Sequence, residues 1–278
     1  MGQKTLIFFA IMLMTLSAFA QTNDTIDTSN MLVTYAYTCH TTDKNGEKVD
    51  DHYRLAVLVG NKTTWSAGYL TALKPEKKVR KDILEELDEQ KFNIPSVYVG
   101  YPSADEMTIR ETMLITDYVT TEKKTPINWQ IEDDTLTITG YLCQKATAKV
   151  RGREWTVWYT EEVPTTAGPW CLYGCPGLIV KAEADGIHYF ELQSLEQRAL
   201  PIVYSPSPND VPTDRSKFVK HRNKTLSVPA YLNSTMSLIN EDMIRELTIF
   251  TDADVQRPII NGHSINTSPN TFQPLDVE

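Results

Sequence analysis

The sequence predicts a mainly β fold of the α+β kind: an antiparallel curved sheet or partly open barrel, covered by an amphipathic helix and by helices near the end of the chain. Three observations carry that expectation. Runs of β-branched and aromatic residues recur from Met31 to Leu192 with the alternation of half-buried antiparallel strands. Turn dipeptides, Asn45-Gly46 and Asp185-Gly186 among them, separate the runs. One stretch before residue 200, Pro75–Phe92, reads with helical period, since Val79, Ile83, Leu84 and Leu87 fall on one face and lysines and glutamates on the others.

Residues 1–20 carry Lys4, an apolar run from Leu6 to Leu16 and then Ala18-Phe19-Ala20. Charge, apolar core and A-x-A site in that order make a secretory signal peptide, with cleavage expected after Ala20. The apolar run is shorter than the roughly 20 residues a membrane-crossing helix needs. Position 21 is Gln, so no lipid attachment is expected there, and the mature chain is read as soluble, in the periplasm or outside the cell. The formal charge is −9 over 278 residues, with 27 basic and 36 acidic side chains. Such a balance offers no long-range attraction to phosphate backbones, and no nucleic-acid partner is expected.

In order along the chain, 21–30 reads as a short flexible lead and 31–250 as one domain. Within it, Leu32–Cys39 alternates as a strand, Asn45-Gly46 turns the chain, and Tyr53–Val59 returns, closed by Gly60-Asn61. Ile94–Tyr101, Met107–Val119 and Thr135–Cys143 read as further strands. Gly177–Glu183 and Ile187–Leu192 form a hairpin across Asp185-Gly186. Four prolines between Pro201 and Pro212 mark a turn-rich connection, and helices are expected over Asp214–Lys224 and Ser237–Phe250. Residues 251–278 are polar with scattered Pro and Gly, and are expected to be poorly ordered.

The densest stretch is Gly140–Val180, with three of the five tryptophans and three of the four cysteines. Here stand Gly140-Tyr-Leu-Cys-Gln-Lys-Ala146, Arg151-Gly-Arg153, Trp158-Tyr-Thr160, Glu162-Val-Pro164, Gly168-Pro-Trp170 and Gly174-Cys-Pro-Gly-Leu-Ile179, with Trp129-Gln-Ile just before them. Taken together these spaced elements resemble the GLPGLI family of secreted bacterial proteins. The resemblance is strong over Trp129–Leu192, weaker from Met31 to Val119, and does not extend to the tail. It implies an exported protein and no particular reaction, because that family has no assigned biochemical activity. Cys175 departs from the family name, where leucine is usual.

Read physically, Gly168-Pro169 and Pro176-Gly177 suit tight turns on either side of Trp170, and Leu178-Ile179-Val180 then enters the core as a strand. One account of this stretch is an architectural corner anchored by Trp170. The other is a loop that meets a ligand, with Trp170, Gly174, Pro176 and Gly177 at the contact. In an oxidising compartment four cysteines allow three pairings, and Cys171–Cys175 with Cys39–Cys143 is favoured, the latter two lying on strand-like runs.

Lys149, Arg151 and Arg153 recur with period two and form a compact basic patch in an acidic protein. Such a face is solvated or meets a carboxylate, phosphate or lipid headgroup. Trp155 and Trp158 fall on opposite faces of one strand, so Trp158 beside Arg151 and Arg153 makes a candidate contact surface. The five histidines lack zinc spacing, adjacent Glu161-Glu162 diverge on a strand, and the nucleophile-elbow, H-E-x-x-H and phosphate-loop motifs do not occur. No catalytic residue, metal or cofactor is therefore expected. The functional expectation is a non-enzymatic binding or accessory protein of the cell envelope, with an apolar or amphipathic small molecule or an outer-membrane protein as partner. The alternatives are a docking partner of an outer-membrane transport system, or an enzyme using Cys143 or a carboxylate.

Overall fold

The computed structural model describes residues 24–42, 47–73, 94–113, 116–226, 259–260, 263–264 and 274–278. Its axis is β1 (Asp24–Thr42), nineteen residues long. Leu32, Val33, Tyr35 and Tyr37 are buried there on both faces, as a strand in the middle of a covered sheet must be. On one side β1 pairs antiparallel with β2 (Lys48–Gly60), in register from Met31↔Val59 to Thr42↔Lys48. The Asn45-Gly46 turn expected between them lies outside the described residues.

From β2 the sheet continues antiparallel through β3 (Thr64–Gly68), β4 (Ser96–Val99), β5 (Glu106–Met113) and β6 (Thr116–Lys123). Between β3 and β4 the short helix α1 (Tyr69–Leu73) is described, while the Pro75–Phe92 helix lies outside the described residues. The expected single strand Met107–Val119 is the β5–β6 hairpin, and Thr135–Cys143 is likewise broken. There β7 (Gln130–Ile138) turns through Thr139 and Gly140, both with positive φ, into β8 (Tyr141–Val150). A left-handed pair at the turn matches the twist of the flanking strands, and Gly140 fits that turn as well as the strand run it interrupts.

On the other side of β1 stand β11 (His188–Gln197), β10 (Leu178–Ala184), β9 (Arg153–Thr160), β8 and β7, again antiparallel. Asp185 and Gly186 have positive φ and close the β10–β11 hairpin as expected. Residues expected in the flexible lead, Asp24–Thr28, pair instead with β12 (Pro201–Tyr204). Asp27 is fixed there because its carboxylate accepts the amides of Lys62 and Thr63 at 2.7 and 2.9 Å. The two-residue β13 (Val211–Pro212) adds to β6 in parallel. Helix α2 (Arg215–Leu226) follows, capped by Asp214, whose Oδ1 accepts the Lys217 amide. The Ser237–Phe250 helix is outside the described residues, and 259–260 with 263–264 form a separate two-stranded ladder, β14 and β15.

The fold is thus mainly β, a large curved sheet that stays open, with β7 and β13 at its two ends. One face gathers Val33, Tyr35, Leu55, Val57, Trp155 and Phe190 with the loop before β10 into the main core. The other face, over β1 to β4, is smaller and is covered by α1, Leu200 and β12. No helix among the described residues is long and apolar enough to cross a membrane.

Candidate binding groove

The loop between β9 and β10 lies inside the curve of the sheet. Trp170 is 1% exposed, packs on Trp155 with ring centroids 5.7 Å apart, and donates its amide to Ser66 Oγ of β3 at 2.9 Å. Trp129 donates its indole N–H to the Tyr173 carbonyl, and Tyr35 of β1 donates to the Ile179 carbonyl. The loop is therefore pinned from β1, from β3 and from the segment before β7. Gly177 is required by proximity: a Cβ there would lie 2.0 Å from the Thr160 carbonyl oxygen. Gly174 has φ +90°. Positive φ falls at Trp170 and Gly174, not at Gly168 and Gly177 where the turn reading placed such freedom. Of the two accounts of this stretch, the geometry matches the corner: Trp170, Cys175 and Gly177 are buried, while Gly174 and Pro176 are exposed at its rim.

All four cysteines are buried free thiols, so neither Cys171–Cys175 nor Cys39–Cys143 is joined. For the second pair the reason is topological: β11, β10 and β9 stand between β1 and β8, and strands about 4.8 Å apart put such residues beyond disulfide reach along the sheet. Burial pushes the Cys171 thiol up to about 11 and Cys175 up to about 12, the opposite of an activated nucleophile. His188 is fully buried, with Nδ1 2.9 Å from the Tyr37 hydroxyl. Burial, reinforced by nearby Arg153, pulls its pKa down to about 3. Its Nε2 makes no hydrogen bond of ordinary geometry, although the Pro274 carbonyl lies on that side. His40 is exposed and pairs with Asp50, and among the described residues no group of His, Cys, Asp and Glu is placed to hold a metal.

The expected basic face is not a face. Arg151 and Gly152, both with positive φ, make the turn between β8 and β9, which directs Lys149, Arg151 and Arg153 to separate partners. Arg151 pairs with Glu122 of β6, Arg153 with Asp185, and Lys149 with Glu278. The Arg151–Glu122 pair joins strands from opposite halves of the sheet, which the curvature brings together. Trp158, by contrast, is half-buried beside the core, while Trp155 on the other face is fully buried.

What lies against these arginines is the chain itself. Pro274–Glu278, expected to be poorly ordered, is laid as a strap between the β8–β9 turn, β5 and α2. Arg153 donates Nη2 to the Pro274 carbonyl at 2.6 Å and Nε to the Leu275 carbonyl at 3.2 Å. Leu275 is buried in the main core, and the Val277 amide donates to the Arg151 carbonyl. Asp276 is 1% exposed: Arg215 meets Oδ2 at 2.8 and 2.5 Å, and Arg222 meets Oδ1 at 2.9 Å and the main-chain carbonyl at 2.7 Å. Glu111 of β5 completes the cluster, pairing with Arg215 at 2.8 Å and Arg222 at 2.7 Å. Burial alone would raise the Asp276 carboxyl, but the two guanidinium groups outweigh it and hold it low.

Arg151 and Arg153 were thus singled out with the right position and the wrong exposure, and Glu111, Arg215, Arg222 and Asp276 were missed. Three of these left a trace. Met107, Ile109, Glu111 and Met113 share one face of β5, so Glu111 is a charge at an apolar position. Arg215, Phe218, Val219 and Arg222 fall at i, i+3, i+4 and i+7 of α2, an apolar stripe with an arginine at each end. Asp276 carries no such mark.

Comparison with known proteins adds the following. A family model described as the N-glycanase peptide, N-terminal domain, matches residues 84–197, which is less than half of the chain and contains the Trp129–Leu192 stretch. No curated protein matches. Two crystal forms of PNGF-II resemble the structure at TM-score 0.44 with 16% and 17% identity, covering 70% of this chain. The match spans about a third of PNGF-II, at 33% and 32%. A LolA superfamily protein from Nitrosomonas europaea follows at TM-score 0.26 and 10% identity, covering 62% of this chain and 88% of its own.

Proposed function

We propose that the protein is an exported, GLPGLI-like binding or accessory module of the cell envelope without catalytic activity of its own, and that it works through the arginine-lined groove. One observation carries this reading. The groove grips a chain segment by its carbonyls, by one amide and by one fully buried carboxylate, which is the chemistry of recognising a peptide. Three groups that nucleophilic chemistry could use are unsuited to it: burial pushes up the thiols of Cys171 and Cys175, and His188 is held neutral inside the core. The test is native mass spectrometry of the mature chain recovered from its own envelope fraction, with the N-terminus sequenced. A chain beginning at Gln21 supports the reading, as does a mass lost on denaturation; retention in the cytoplasm counts against it.

A second reading follows from the family match, an accessory role beside a glycan-removing module. Incubation with an N-glycosylated protein separates the two: binding without release of glycan favours the accessory role, and release by the isolated chain would overturn the non-enzymatic reading.

A further inference from the structure

The charges around the strap do not balance without it. Lys149, Arg151, Arg153, Arg215 and Arg222 bring five positive groups to the groove, and Glu111, Glu122 and Asp185 return three negative ones. The difference, 5 − 3, is met by the two acids of the strap, Asp276 and Glu278. With the strap in place Arg215 and Arg222 are 7% and 2% exposed, and without it the two guanidinium groups would share a single carboxylate, that of Glu111. The remaining contacts are to main-chain atoms, which any extended peptide supplies, and to one aliphatic side chain, Leu275, set into the core. At Gly152 a Cβ would come within 2.5 Å of Val277, so the turn backbone itself forms one wall of the groove.

We propose that this groove is a recognition site for an extended acidic peptide with an aliphatic residue directly before a buried aspartate, and that Pro274–Glu278 is its resident, displaceable ligand. The proposal deepens the binding reading by naming the ligand class. It depends neither on export nor on a co-purifying mass, so it can fail or succeed separately. The resident strap is tethered and therefore meets the groove intramolecularly, which disfavours competing peptides until the strap is weakened.

The experiment uses the full chain and a labelled synthetic peptide, TFQPLDVE, read by fluorescence anisotropy. Asp276→Ala in the chain removes the strap's buried carboxylate and raises affinity for the added peptide by on the order of 30-fold or more, the scale set by truncating one partner of a buried charge pair. The same peptide with Ala in place of its Asp does not bind, and chain variant Arg222→Ala combined with Asp276→Ala does not bind either. Should Asp276→Ala alone unfold the chain, millimolar wild-type peptide restores the folded state in a thermal melt and the Ala peptide does not. A folded Asp276→Ala chain that ignores the peptide, or an unfolded one that the peptide does not rescue, overturns the proposal.

Discussion

Acid should destabilise this protein well above the range in which its carboxylates titrate, and His188 is the reason. Its fully buried ring stacks against Tyr37 and Trp155, and its cationic form would be buried beside Arg153. In the unfolded chain a histidine takes up a proton near pH 6.5; in the folded chain His188 resists until about 3. The folded pKa is depressed, so the full stability is present above about pH 6.5 and declines as pH falls toward 3. Each unit is worth about 1.4 kcal/mol where the slope is full, giving a loss of about 2 kcal/mol between pH 6.5 and 4.5 and about 4 kcal/mol by pH 3. Asp276 and Asp27, whose pKa values are also lowered, add losses of the same sign only below about pH 4, so the upper window belongs to the histidine. Urea unfolding followed by tryptophan emission, repeated from about pH 7.5 to 4.5, measures the slope. His188→Asn keeps an acceptor for the Tyr37 hydroxyl and cannot titrate; it is expected to be less stable at neutral pH but nearly flat over this window. Equal slopes for the two proteins, or a folded-state titration of His188 by NMR near 6.5, would refute the reasoning.

Gly177→Ala is expected to lose about 1–3 kcal/mol or more, because the new methyl meets the Thr160 main chain and not a movable side chain; a melting temperature within a degree of the parent would contradict the fit. Trp170→Ala should lose about 3–5 kcal/mol in urea unfolding, and Trp158→Ala, half-buried, clearly less. Arg222→Ala leaves two buried carboxylates with Arg215 as their one shared arginine and should cost about 3–5 kcal/mol, whereas Lys149→Ala, an exposed partner of Glu278, should change stability by less than about 1 kcal/mol. Alkylation with iodoacetamide, read by intact mass, should add no label to the native chain and four labels in denaturant; a native mass showing oxidised pairs would mean the thiols are joined after all.

The hairpin at Asp185-Gly186, the Asp214-capped α2 and the separation of Trp155 from Trp158 were legible because each depends on residues close in sequence: a left-handed turn, a cap, an alternation. The period-two reading of Lys149, Arg151 and Arg153 failed for a local reason too. Arg151-Gly152 is itself a turn, and a turn resets the alternation on which a shared face depends. Likewise Thr139-Gly140 split what had read as one strand, since Gly140 fits both a strand interruption and a left-handed turn.

By itself the sequence determined that this chain forms antiparallel strands joined by tight turns, that a turn-rich stretch around Trp170 leads into the β10 strand, and that a helix begins near Asp214. Those properties follow from φ preferences, side-chain period and capping, which act over a few residues. Only the tertiary structure decided the groove. Its parts come from β5, the β8–β9 turn, α2 and Pro274–Glu278, and the curvature of the sheet brings them together. Whether an arginine is solvated or buried against Asp276 depends on charges more than a hundred positions away in some pairs, Glu111 with Arg222 among them. No local pattern carries that information, because burial and counter-charge are properties of the assembled fold.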